Sequence, residues 1–117
     1  MIKFGPAGNS DAFYEAGYKH TYQGMAWLQE MGLNAYEYSC GRGVRLKEET
    51  AEKIRQEAER CGITISLHAP YFINLANENA EKFDKNVEYF AESSKAAKLL
   101  GAKRIVFHPG SPAKEER

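Results

Sequence analysis

The chain has 117 residues, 43% of them hydrophobic and 27% charged, and its 16 basic residues balance its 16 acidic ones. That length holds one domain at most, and the apolar share is enough to build a core. Neutral overall charge gives no global pull toward a polyanion, although a site can still be locally basic.

No apolar run approaches the roughly 18 residues a membrane span needs, so no membrane partner is expected. The opening residues MIKFGPAG lack an apolar signal-peptide core, which makes the cytoplasm the expected compartment. Cys40 and Cys61 follow no motif spacing, and in a reducing compartment they read as two free thiols.

In chain order, a first strand is predicted over residues 2–5. A helix follows over 21–31, with Tyr22, Met25 and Leu28 on one stripe and Gly32 as its stop. His20 reads as a cap or surface residue, and Trp27 as packing bulk. Residues 33–38 form the second strand. Its alternation leaves two readings open: either Glu37 points inward, or Tyr36 and Tyr38 do. A second helix is predicted over 47–60, where Ala51, Ile54, Ala58 and Cys61 recur at three- and four-residue steps. Glu48 and Glu49 occupy its first turn, where the helix dipole favours acids. Glu49 and Lys53 have the helpful four-residue spacing. Gly62 suits a left-handed cap. The third strand is predicted over 63–68 and the third helix over 79–100, with Phe83, Val87, Phe90, Ser94 and Ala97 as its buried stripe. Gly101 ends that helix, and the fourth strand covers 103–108. The polar tail 111–117 reads as a frayed end.

Strictly alternating strands and helices imply parallel strands joined by right-handed crossovers. Crossovers that never reverse place every helix on one face of the sheet. In an eight-stranded barrel of about 250 residues the other face becomes the packed interior. The expected fold class is therefore α/β, a β-α-β-α-β-α-β parallel half of a (β/α)₈ barrel, with residues 1–117 forming an incomplete domain. A half barrel exposes its inner face and two strand edges, which favours self-association.

Two histidines end two of these strands. His68 closes Ile63-Thr64-Ile65-Ser66-Leu67-His68, and His108 closes Lys103-Arg104-Ile105-Val106-Phe107-His108. Alternation sends Ile65, Leu67, Ile105 and Phe107 toward the helices. It sends Thr64, Ser66, His68, Arg104, Val106 and His108 inward. Chemistry in parallel α/β folds gathers at the carboxyl ends of strands. Two neutral imidazoles there are candidate metal ligands, or else polar residues at a barrel rim. They do not complete a zinc site, which takes three or four protein ligands. Glu37, further strands or another chain would have to supply the rest. Arg42 and Arg45, with glycines between them, either hold a phosphate or lie in a solvated turn. Gly5-Pro6-Ala7-Gly8 lacks the third glycine of a dinucleotide fingerprint.

The segment Ser66-Leu67-His68-Ala69-Pro70-Tyr71-Phe72-Ile73-Asn74-Leu75-Ala76 resembles the third-strand motif of endonuclease IV. Phe107-His108-Pro109-Gly110-Ser111 resembles that family's fourth-strand motif, and one long helix fills the interval between them, as in the family. The resemblance runs from the first strand onward and is densest after Gly62. It implies a barrel of the xylose isomerase-like superfamily and a DNA-repair nuclease that cuts phosphodiesters at abasic sites with as many as three zinc ions. By that resemblance His68 and His108 are metal ligands, Tyr71 is an aromatic DNA contact and Asn74 orders a loop. No catalytic residue is assigned. Two departures stand out. The first strand ends in Gly5-Pro6-Ala7-Gly8 where the family has a histidine, and Cys40-Gly41-Arg42-Gly43-Val44-Arg45 does not reproduce the family's DNA-inserting loop. The alternative within the same superfamily is a metal-dependent sugar isomerase or epimerase. A third reading is a fragment without turnover. Isolated residues 1–117 are expected to be inactive on abasic DNA.

Overall fold

Helix ends are set where the glycines stand. Gly62 (φ 69°) and Gly101 (φ 70°) both take the left-handed conformation that closes a helix without a Cβ clash. The two long helices they close are α3 (Glu48–Cys61) and α4 (Ala80–Leu100) in the computed structural model, which describes residues 2–111. Before them come a short helix α1 (Asp11–Glu15) and a 3₁₀ turn (Thr21–Gln23) that runs into α2 (Gly24–Glu30). The strands are β1 (Ala35–Ser39), β2 (Thr64–His68) and β3 (Ile105–Val106). Residues 112–117, most of the tail expected to fray, lie outside the described part.

The sheet has the order β1-β2-β3 and every pair is parallel. Tyr36 faces Ile65, Glu37 faces Ser66, and Leu67 faces Ile105. Paired residues of parallel strands point to the same side, so this register settles the question left open for β1. Tyr36 and Tyr38 join Ile65, Leu67 and Ile105 on the helix side. Glu37 joins Ser66 on the inner side. The single core lies between the sheet and the helices. It gathers Met25 and Leu28 from α2, Ala51, Ile54 and Ala58 from α3, and Ala96, Ala97 and Leu100 from α4. The fully buried Leu67 and Ile54 are each worth about 1.5–3 kcal/mol of burial.

The structure departs from expectation in several places. First, the opening segment is not a regular strand. It runs beside β1 instead, with Asn34 and Ala35 N–H donating to Phe4 O, Glu37 N–H to Pro6 O and Gly8 N–H to Glu37 O. Pro6 has no N–H to give, which breaks the ladder. Second, the helix expected over 21–31 divides into the 3₁₀ turn and seven residues of α-helix. Third, α1 has no counterpart among the expected elements. Ser10 caps it by accepting from Phe13 N–H, and it buries Phe13 against Tyr18 and Trp27. Fourth, α4 is rotated from its expected stripe. Its buried residues are Asn86, Ser93, Ala96, Ala97 and Leu100, whereas Phe83 and Val87 stay 41% and 50% exposed. Small residues let the helix approach the sheet closely, and Ser93 satisfies its hydroxyl on Tyr89 O.

Elsewhere His20 is both cap and surface residue: it is the N-cap of the 3₁₀ turn, is exposed and stacks on Tyr22. Lys53 lies over the Tyr22 ring. Among the described residues no helix is long and apolar enough to cross a membrane.

Candidate metal centre at the carboxyl end of the sheet

His68 is the last residue of β2, and its backbone is held from both sides. Cys40 N–H donates to His68 O at 3.0 Å, and Ala69 N–H donates to Val106 O at 2.8 Å. Pairing with Ser39 and Val106 puts its side chain on the inner face. His108 follows β3 by two residues, and alternation brings it to that same face. The two imidazole centroids stand 5.0 Å apart with ring planes at 54°.

That separation can be tested against a shared ion. A Zn–N bond of about 2.1 Å puts each ring centroid roughly 3.2 Å from the metal, and two ligands at the tetrahedral angle then stand about 5 Å apart. The tautomer fits as well. His68 Nδ1 lies 2.8 Å from Ala69 O, and a carbonyl oxygen only accepts, so Nδ1 carries the proton. In the neutral ring this tautomer leaves the lone pair on Nε2, the arrangement of a metal-binding imidazole oriented by a backbone carbonyl. The pair therefore suits a borderline-soft cation such as zinc.

Glu37 also faces inward, but it pairs with Ser66, one inward position short of His68. Among the described residues no three His, Cys, Asp or Glu side chains form a group able to hold a metal. The imidazole pair thus has no third such side chain grouped with it among the described residues. Cys40 sits next to them in the sheet, and burial pushes its thiol up to about 11. That burial keeps it a thiol at neutral pH. Both cysteines are free and buried, as expected.

The loops around the pair carry the remaining expected residues. Arg42 and Arg45 are exposed in the loop after β1, and neither makes an ion pair with a described residue. Tyr71 N–H donates to Gly41 O at 3.2 Å, which joins this loop to the one after β2. Tyr71 is 56% exposed and meets the edge of Phe72, whose ring packs edge-on against Tyr89 at 4.7 Å. Asn74 holds its own loop: Oδ1 accepts from Ala76 N–H, and Nδ2 donates to Ser111 O. Asn86 had no place in the expected site, yet it is buried and donates to Asn74 O at 2.7 Å. Its one sequence signal is an amide placed among the small and apolar residues of the buried stripe.

A cleft of about 740 Å³ lies at the opposite end of the sheet and is lined by Lys3, Arg55, Glu59, Lys103 and Arg104. It adjoins the C-terminal ends of α3 and α4, where the helix dipoles favour cations, so these charges already have a structural role.

The fold and this end of the sheet define an open arc of a (β/α) barrel with an imidazole pair at its mouth. A profile described as the xylose isomerase-like TIM barrel matches residues 25–117, and the chain belongs to that family. It is 31% identical over 110 residues to the uncharacterized protein MJ0133 of Methanocaldococcus jannaschii, covering 94% of this chain and 37% of that one. It is 36% identical over 95 residues to a probable endonuclease 4 of Chlorobium phaeobacteroides, covering 74% and 34%. The crystal structure of endonuclease IV from Thermus thermophilus superposes with a TM-score of 0.67 at 30% identity, covering 85% of this chain and 39% of that one. D-psicose 3-epimerase superposes with a TM-score of 0.65 at 17% identity, covering 78% and 32%, a likeness of fold alone. The chain spans about a third of the length of the curated relatives it matches.

Proposed function

We propose that this chain is part of a cytoplasmic, zinc-dependent phosphodiesterase that cleaves DNA at abasic sites, and that residues 1–117 form an incomplete domain supplying two of its metal ligands. The observation that carries the reading is the His68–His108 pair, with its 5.0 Å spacing and the Nε2 lone pair of His68. The likeness to proteins named endonuclease 4 supports the nuclease over other chemistries of the family.

Each residue has a part in this reading. His68 turns Nδ1 to the Ala69 carbonyl and offers Nε2. His108 offers the second nitrogen from the neighbouring strand. Bound zinc would polarise a phosphate and supply hydroxide near neutral pH. Arg42 and Arg45 hold phosphate oxygens through charge-assisted hydrogen bonds. Tyr71 presents an exposed ring on which a base can stack. Glu37 is placed to steady the inner face below the metal. Two ligands cannot fix the metals at the spacing phosphodiester hydrolysis needs, and a misplacement of about 1 Å can cost roughly a hundredfold. The isolated chain is therefore inactive on abasic DNA, while a protein carrying the complete barrel nicks it.

Zinc titration by calorimetry tests the reading. The chain is expected to bind zinc weakly, and the double variant His68→Ala/His108→Ala is expected to lose that binding. Unchanged affinity in the double variant would remove the metal from the proposal. If a complete protein ignores abasic DNA but interconverts sugars with a divalent metal, the epimerase alternative holds instead.

A further inference from the structure

His68 is fixed by strand pairing on both sides, but His108 is not. It lies beyond the regular part of β3 and is exposed. Something else must keep its ring 5.0 Å from His68. On one side Phe107 packs edge-on against Phe90 of α4 at 4.7 Å. On the other side Leu75 N–H donates to Pro109 O at 2.8 Å, and Asn74 Nδ2 donates to Ser111 O at 3.3 Å. Gly110 lies so close to Asn74 that an added Cβ would fall 2.0 Å from Oδ1. His108 is thus bracketed between an anchor on α4 and an anchor on residues 74–75.

The second anchor is itself tied to α4. Asn86 is 6% exposed, and its Nδ2 donates to Asn74 O at 2.7 Å. Asn86 and Phe90 stand four residues apart on one face of the helix, so a single helical surface holds both ends of the bracket. A buried amide in that stripe is unfavourable unless it is bonded, and its bond goes to the loop rather than to the helix.

We infer that Asn86 is a positioning residue for the imidazole pair: through Asn74 it locks the loop after β2 to the loop after β3 and so holds His108 beside His68. The inference rests on the proposed metal role of that pair for its functional meaning, but its geometry can be tested without metal.

The test uses Asn86→Ala and Asn86→Asp, the latter keeping the size and removing the N–H donor. NMR reads the cross-relaxation between the His68 and His108 ring protons and the exchange rate of the Leu75 amide. With the clamp gone, the ring-to-ring signal should vanish and Leu75 exchange should rise about tenfold, the effect of one lost hydrogen bond. Leu67 and Ala97 amides should stay protected. If the ring signal persists and all amides shift together, Asn86 merely stabilises the helix and the inference is overturned. Should the Asn86 variants fail to fold, Gly110→Ala strikes the same clamp from an exposed loop. It should give the same signature, and a retained ring signal there overturns the inference. Zinc affinity forms the separate arm and should fall tenfold or more in the Asn86 variants. If the wild type binds no zinc, the metal reading fails while the ring signal and exchange still decide the clamp.

Discussion

Alkaline stability offers a sharp test of the packing of β1. Tyr36 is 4% exposed on the helix side of the sheet, and its hydroxyl donates to Asn9 Oδ1 at 2.9 Å. Burial pushes its phenol from 10.0 up to about 12. The folded state thus keeps a proton that the unfolded state releases once the pH passes 10. Stability from this group is whole below pH 10 and falls as pH rises from 10 to 12. The full gap of two units corresponds to about 2.7 kcal/mol, of which about 1.4 kcal/mol is already lost at pH 11. Tyr36→Phe removes the titration together with one hydrogen bond, which is worth about 1 kcal/mol. Urea unfolding at pH 8 should therefore find the variant about 1 kcal/mol less stable. By pH 11 the wild type should have lost that advantage. All other groups are common to the two proteins and cancel in the difference. A difference between the two that stays constant from pH 8 to 11 would refute the burial argument for this strand.

Three further outcomes are expected. In a protein carrying the complete site, Tyr71→Ala should weaken binding of abasic duplex by about 1–3 kcal/mol in fluorescence anisotropy, the worth of one stacked base. It should leave the melting temperature nearly unchanged, because Tyr71 is 56% exposed; a large fall in melting temperature with unchanged affinity would contradict it. Gly5→Ala should destabilise the chain by more than about 2 kcal/mol in urea, since its Cβ would fall 1.6 Å from Ala35 O and force the opening segment off β1. A cost below about 0.5 kcal/mol would show that the segment does not need this close approach. The isolated chain should also associate through its open sheet edge and the exposed Phe83, Val87 and Val106. A stable monomer in light scattering at high concentration would count against that.

Much of the architecture is a local property of the sequence. Gly62 and Gly101 end helices because the left-handed conformation favours glycine, and the three- and four-residue recurrence of Ala51, Ile54, Ala58 and Cys61 allows only one face of α3 to be buried. Period-two alternation is likewise enough to send His68 and His108 to the same face, because strand geometry leaves a side chain only two directions. Where two local solutions are equally good, only tertiary contacts choose. Tyr36 and Glu37 each suit an inner or an outer position, and the register against Ile65 and Ser66 decides between them. Helix α4 carries two overlapping stripes, and the need for close approach to the sheet selects Ser93, Ala96 and Ala97 over Phe83 and Val87. The bond from Asn86 to Asn74 and the contact of Gly110 with Asn74 join residues 12 and 36 positions apart, by subtraction of their numbers. No local preference encodes either one, because each exists only once the crossover has brought α4 and the two strand ends together.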